Sequence, residues 1–221
     1  MISIDQICLL QFAKLPQLGK VKTRMQPALS PQQSLNLHRQ LVDYSAQIYS
    51  ARGFAGYQFW FAGEPETPEQ AAWLDNLQQR YGCSLQQQVG GDLGQRMAHA
   101  AKQALGQYQA VIIVGSDCPF IDAEKLQQLV QRWQRPMMFI PALDGGYVLI
   151  ALRQYTDSVF TDIPWGGPEV MERSRQQLQQ QGLAWDELDA LNDIDVLEDL
   201  PTLADIPELA EFSRLSRSAS V

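Results

Sequence analysis

Ile7-Cys8-Leu9-Leu10-Gln11-Phe12-Ala13, followed at once by Lys14-Leu15-Pro16-Gln17-Leu18-Gly19-Lys20-Val21-Lys22-Thr23-Arg24, is the stretch that decides the fold class. Seven nearly unbroken apolar residues, without the alternation of a half-solvated strand, predict a parallel strand covered on both faces. Runs of the same type return at 57–62, 110–114 and 137–142. Helical periodicity lies between them. Leu126, Leu129, Val130 and Trp133 fall at i, i+3, i+4 and i+7, with Asp122 as N-cap and Pro136 beyond the end. Leu93, Met97, Ala100, Ala101 and Ala104 form a second stripe, opened by Asp92. Two more helices are expected over residues 32–50 and 168–181, the latter with Pro168 at its start. Strands alternating with amphipathic helices predict an α/β fold around a mainly parallel sheet. Ligands of such sheets bind beyond the carboxyl ends of the strands. The expected ends are Lys14, Gly63, Ser116-Asp117 and Asp144-Gly145-Gly146, and all but the second carry a charged or glycine-rich cluster.

Charge narrows the partners. The 221 residues carry a net charge of −8, so nucleic acid and anionic membrane would be repelled at long range. Yet no acid occurs between Asp5 and Asp43, where Lys14, Lys20, Lys22, Arg24 and Arg39 supply five of the 17 basic residues. An acidic chain that keeps one acid-free cationic segment has a reason for it. No run approaches the roughly 18 apolar residues of a membrane helix, and the start lacks a signal-peptide pattern, so a cytoplasmic protein is expected. Residues 1–212 are expected to form a single domain and 213–221 a flexible polar tail. Cys8, Cys83 and Cys118 are odd in number and lack metal-ligand spacing, which disfavours disulfides and zinc. Cys118 adjoins a candidate site aspartate, but neither His38 nor His99 pairs visibly with it as a base.

The loop 14–24 follows a strand end with Pro, Gly and closely spaced cations, which suits a loop folding over phosphates; it carries neither a Walker nor a dinucleotide glycine pattern. A solvated basic loop is the alternative. Gly115-Ser116-Asp117-Cys118-Pro119 places a carboxylate at the end of the next central strand, either as a turn residue or as a ligand for a hard cation beside phosphates. Asp193 and Asp195 lie two apart in an extended stretch and so point the same way, although Asp195 could equally cap the following helix. Gly90-Gly91-Asp92-Leu93-Gly94 precedes a helix N-terminus and reads as an anion or nucleotide contact or as a flexible turn. Asp144-Gly145-Gly146-Tyr147 is a tight turn that would also suit a polyol, and Trp165 either stacks on a ligand or packs.

Taken in order, Phe12-Ala13-Lys14-x-Pro16-x-x-Gly19-x-Val21-Lys22-Thr23-Arg24, Gly91-Asp92-Leu93-Gly94-x-Arg96-Met97, Gly115-Ser116-Asp117-Cys118-Pro119, Asp144-Gly145-Gly146-Tyr147 and Asp193-Ile194-Asp195-x-x-Glu198-Asp199-Leu200 resemble a bacterial family of glycosyltransferase-A-like proteins. That family was long catalogued as a domain of unknown function, with some members labelled arsenosugar-biosynthesis glycosyltransferases. It is related to the nucleotidyltransferases of molybdenum-cofactor and coenzyme F420 biosynthesis, and the match spans residues 5–205. The resemblance implies a three-layer αβα nucleotide-diphospho-sugar transferase fold with Mg²⁺ or Mn²⁺ beside a diphosphate. Asp117 would be the first metal ligand, Asp195 the second and Asp193 its alternate. Lys14, Lys22, Thr23 and Arg24 would hold phosphates. Gly91, Asp92 and Gly94 would approach the nucleoside; Asp144, Gly145, Gly146, Tyr147 and Trp165 would meet the sugar or acceptor, with Asp144 a candidate base. The implied activity is transfer of a sugar from a nucleotide-diphosphate donor to a small acceptor. The alternatives are nucleotidyl transfer from a nucleoside triphosphate with release of pyrophosphate, and nucleotide binding without catalysis. Val196-Leu197 replaces a usual Thr-Pro, and Gly167 stands where Thr is common.

Overall fold

The computed structural model describes residues 2–26 and 28–215. The expected tail therefore lies outside the described residues from residue 216 onward. The sheet has seven strands in the order β3-β2-β1-β4-β6-β5-β7. The first run is β1 (Ile7–Lys14), at the centre, with parallel neighbours β2 (Gly56–Ala62) and β4 (Ala110–Gly115). Beyond β2 lies β3 (Ser84–Gln87), also parallel. On the other side β6 (Tyr147–Leu152) runs antiparallel to both β4 and β5 (Met137–Pro141), and β7 (Trp185–Glu187) closes the edge parallel to β5. The sheet is thus mixed and mainly parallel, as the sequence predicts. One strand, β6, is reversed.

Both faces are covered, which explains the unbroken apolar runs. Ile7 and Leu9 point to the face carrying α1 (Pro31–Ser50) and α4 (Ala123–Arg132), with Tyr49, Leu126, Leu129 and Trp133 in the same core. Cys8, Leu10 and Phe12 point to the opposite face, against α3 (Leu93–Leu105) and α5 (Val170–Gln180) through Met97, Ala100, Met171 and Leu178. α2 (Pro68–Tyr81) covers β2 through Leu74 and Leu77 packed on Phe59. The exception in β1 is Gln11, fully buried and fully used: Nε2 donates to Val42 O (3.2 Å) and Ser116 Oγ (3.0 Å), and Oε1 accepts from the Tyr57 hydroxyl. A buried amide satisfied in this way tethers the β4 terminus to β1 and α1.

Helix starts follow local chemistry. Ser30 and Thr67 accept from the backbone N–H groups of Gln33 and Gln70, each ahead of a proline at the first helical position. Asp92 and Asp122 cap α3 and α4, as expected. After β7 the chain crosses to the carboxyl end of β4 and winds through 3₁₀ turns. There Ile194, Leu200, Leu203, Leu209 and Phe212 pack on Leu37 and Leu41 of α1 and on Met25 and Leu29 ahead of it. Each such side chain stabilises the segment by roughly 1.5–3 kcal/mol when fully buried. The acidic C-terminal stretch is in this way clamped against the basic loop. No helix among the described residues is long and apolar enough to cross a membrane.

Candidate functional site

The carboxyl edge of the parallel strands collects the charged clusters. β1 delivers Lys14, whose carbonyl accepts a hydrogen bond from His38 Nε2 (2.9 Å) on α1. The loop then returns to Lys22, which sits in the left-handed region (φ 49°) and turns its side chain inward until 3% of it is exposed. Its ammonium lies 2.7 Å from Asp117 Oδ1 and donates to the carbonyl of Ile194, while Ile194 N–H donates to Asp117 O at 2.8 Å. One ammonium thus fastens the loop, the β4 terminus and the C-terminal segment together. Those contacts offset the roughly 1–2 kcal/mol that a side-chain-bearing residue incurs in that backbone region. Arg24 pairs with Asp195 at 2.6 Å in a more exposed position. Lys14 and Lys20 have no acidic partner among the described residues.

Two adjoining chambers open here. The first, about 420 Å³, is lined on the loop side by Lys14, Lys22, Thr23 and Arg24, with His38, Ser116 and Asp195. The second, about 260 Å³, is walled by Met97, Tyr147, Val148, Trp165 and Val170. Asp117, Asp144 and Asp193 line both, so three carboxylates form the partition. Burial works to raise the Asp117 carboxyl, but the Lys22 ammonium and the other cations around it outweigh this and hold it below the ordinary range. Asp193 goes the other way: burial, then the nearby Asp144 and Asp117 charges, push it up to about 6. Burial holds His38 below the usual imidazole range, and it is neutral at pH 7. Asp144 Oδ1 accepts from Gly146 N at 2.9 Å, fixing the turn that presents it.

Most of the predicted residues converge: Lys14, Lys22, Thr23, Arg24, Asp117, Asp144, Gly146, Trp165, Asp193 and Asp195 all line one chamber or both. Gly91, Asp92, Gly94 and Gly145 do not. Asp92 caps α3 by accepting from Gln95 N, and Gln95 Oε1 in turn accepts from Gly91 N, both at 2.8 Å. At Gly94 a Cβ would stand 2.3 Å from Phe160 O and 2.4 Å from Trp165 Nε1, so this glycine is what lets the indole lie against α3. Gly145 has φ +95°, a Cβ there would meet Pro168 O at 2.0 Å, and its carbonyl accepts from Met171 N at 2.9 Å. These residues shape the walls from behind. The sequence reading assigned no role to His38 or Ser116. No local signal marks His38, which α1 carries back to the Lys14 carbonyl. Tyr147, expected at the sugar or acceptor, closes the Asp-Gly-Gly turn and lines the second chamber. Where Val196 replaces the usual Thr, Asp199 Oδ2 takes over, accepting from the N–H groups of Asp195 and Val196, both at 2.8 Å.

Cys118 is buried beside Asp117, and burial pushes its thiol up to about 12, so it does not serve as a nucleophile near neutrality. All three cysteines are free. Among the described residues no group of three His, Cys, Asp or Glu side chains is arranged to hold a metal ion unaided.

A family model described as an uncharacterized protein conserved in bacteria (DUF2064) matches residues 47–167, more than half of the chain. The chain belongs to that family. The match takes in β2 through the Trp165 turn, including Asp117 and Asp144 but not the loop 14–24. Among solved structures, a candidate nucleotide-diphospho-sugar transferase from Desulfovibrio desulfuricans is 29% identical, with a TM-score of 0.83 over 98% of this chain and 99% of that one. The fold is that of nucleotide-diphospho-sugar transferases. A cytidylyltransferase from Leptospira borgpetersenii is 14% identical (TM-score 0.55, covering 96% of this chain and 93% of that one). A 4-diphosphocytidyl-2C-methyl-D-erythritol synthase from Anaerococcus prevotii is 9% identical (TM-score 0.57, covering 97% and 98%). At those identities the likeness of this chain to them is one of fold alone. No curated protein matches the chain.

Proposed function

We propose that this protein is a transferase that takes a nucleotide-activated donor, and that the group transferred is a sugar. One observation carries the reading: the cations of the β1 loop face three carboxylates across a single cleft at the carboxyl edge of the sheet. Lys14 and Arg24 bind the donor diphosphate. Lys22, already committed to Asp117 and Ile194, holds the loop in position for them. Charge-assisted hydrogen bonds from these groups oppose the negative charge that develops on the departing diphosphate. The 29% identical Desulfovibrio desulfuricans protein, named for nucleotide-diphospho-sugar transfer, supports the donor class.

A divalent cation fits the partition. Asp193 is pushed up by burial and two neighbouring carboxylates, an excess of negative charge that a cation would relieve. Asp117 and Asp193 would hold Mg²⁺ or Mn²⁺, with water and donor phosphates completing the shell, since Mg²⁺ commonly takes only one or two protein carboxylates. When bound, the ion supplies Lewis-acid neutralisation of the leaving diphosphate. Asp195, engaged by Arg24, is a reserve ligand. Asp144, fixed by its own turn and facing both chambers, takes the proton from the attacking hydroxyl.

The test is a thermal-shift and calorimetric panel of nucleoside diphosphates, triphosphates and nucleotide sugars with and without Mn²⁺, followed by turnover assays. Metal-dependent binding of a nucleotide sugar, lost in Lys14→Ala, is expected. Pyrophosphate release from a nucleoside triphosphate would instead establish nucleotidyl transfer. Binding unchanged in Asp117→Asn would refute the cation site.

A further inference from the structure

The two chambers differ in kind. All the cations of the cleft lie on the loop side. The second chamber has apolar walls of Met97, Val148 and Val170 and an aromatic corner where Tyr147 and Trp165 meet edge to face, with ring centroids 6.1 Å apart. Tyr147 is itself braced edge to face by Phe139 at 5.3 Å. Its charged lining is Asp117, Asp144 and Asp193, with no Lys, Arg or His. Lys22 answers Asp117, but neither Asp144 nor Asp193 has a cationic partner among the described residues. Among the described residues the Tyr147 hydroxyl has one partner, Met97 Sδ at 4.0 Å, and a thioether is a weak acceptor. Aromatic and apolar walls with a few convergent polar groups are the make-up of a small-molecule site.

We propose that this aromatic chamber seats the second substrate, an uncharged or cationic molecule with an apolar body and a hydroxyl, and that it rejects molecules bearing phosphate or carboxylate. An apolar body gains by covering the Tyr147–Trp165 corner, and its hydroxyl is within the reach of Asp144 and the Tyr147 phenol. An anion entering the same space meets Asp144, which no cation among the described residues answers, and Asp193 as well while no divalent ion is bound. Solvent screening is reduced there, and like charges so placed reject the wrong partner. This rests on the donor reading above only for what fills the neighbouring chamber.

Competition binding on the full chain tests it. The saturation-transfer NMR signal of tyrosol, a neutral phenol with a primary alcohol, is followed while tyramine, phenyl phosphate, uridine or uridine diphosphate is added. Tyramine is expected to reduce the signal by about half at equal concentration. Phenyl phosphate and uridine diphosphate, as anions, and uridine, whose base and ribose are polar throughout and offer no apolar body, should each remove less than roughly a tenth of it in tenfold excess. Leu93→Arg, at the exposed rim shared by the chambers, should let phenyl phosphate compete. Failure of tyrosol to bind, displacement by phenyl phosphate from the unaltered chain, or a Leu93→Arg variant that still excludes it, overturns the proposal. Displacement by uridine would make the chamber the nucleoside's seat and overturn it as well. If tyrosol behaves as expected while no nucleotide binds elsewhere, the donor reading fails and this one stands.

Discussion

Lys22→Met keeps the aliphatic stem and removes only the ammonium. Asp117 Oδ1 and the carbonyl of Ile194 then lose a partner in a place where the lysine side chain is 3% exposed. Breaking a buried ion pair costs about 3–5 kcal/mol. The Asp117 side chain is 47% exposed as a whole, so water recovers the solvation of its outer oxygen, but Oδ1 itself stays buried. An orphaned buried acceptor such as Ile194 O costs about 1–3 kcal/mol. Together these place the loss near 2–3 kcal/mol, and at about 2–4 °C per kcal/mol for a chain of this size the melting point should fall by about 5–10 °C. The pH dependence has a fixed sign. The folded Asp117 carboxyl lies below its ordinary 3.8, so its stabilisation is present above that value and fades as pH falls through the folded one. Calorimetric melts of both chains at neutral pH and near pH 3 check this: a wide gap at neutral pH that narrows in acid is expected. A variant melting within about 1 °C of the parent at neutral pH would refute the reasoning, because it would show that the ammonium does not bear on the fold.

Asp193→Asn should act in the opposite sense. The folded carboxyl sits at about 6 against an ordinary 3.8, so ionising it opposes folding, and stability is lost as pH rises through that window. The asparagine chain should melt a few degrees higher at pH 7.5, lose that advantage below pH 4 or so, and bind Mn²⁺ more weakly by calorimetry. Gly145→Ala forces a Cβ onto Pro168 O at a backbone angle that favours glycine. A loss of about 3 kcal/mol or more is expected, with near-ultraviolet dichroism reporting a disturbed Trp165 environment.

How much was legible depended on burial. The strands read correctly from sequence, β1, β2, β4 and β5, are apolar runs covered by helices. β3 (Ser-Leu-Gln-Gln) and β7 (Trp-Asp-Glu) are short edge strands with few buried side chains, and nothing in their composition separates them from loop. β6 could have been found, since Val148 to Leu152 is apolar and follows an Asp-Gly-Gly turn that signals a hairpin. Reading that turn as a strand end hid the reversal. α2 carried its own signal in Thr67-Pro68-Glu69-Gln70, weakened by a mostly polar helix. The candidate site was legible because its charged and glycine-rich residues interrupt apolar runs at strand ends. The division of labour within it was not. Which cation is spent on Asp117, and which glycines serve packing, depends on residues up to 172 positions apart.

The reversed strand has a consequence for how the cleft works. Because β6 begins where its neighbours end, Asp144 hangs from a hairpin rather than a free loop, pinned by Ala142 N to Gly146 O, Gly145 N to Ala142 O and Met171 N to Gly145 O. The opposite lip, residues 15–21, is anchored at its ends by the buried Leu15 and Val21. Side-chain bonds from Gln70 to Pro16 and from Gln17 to Glu66, both 3.3 Å long, dock it toward α2 and away from the cleft. A molecule lying against the Asp144 hairpin therefore meets a turn whose backbone is already fixed before anything binds.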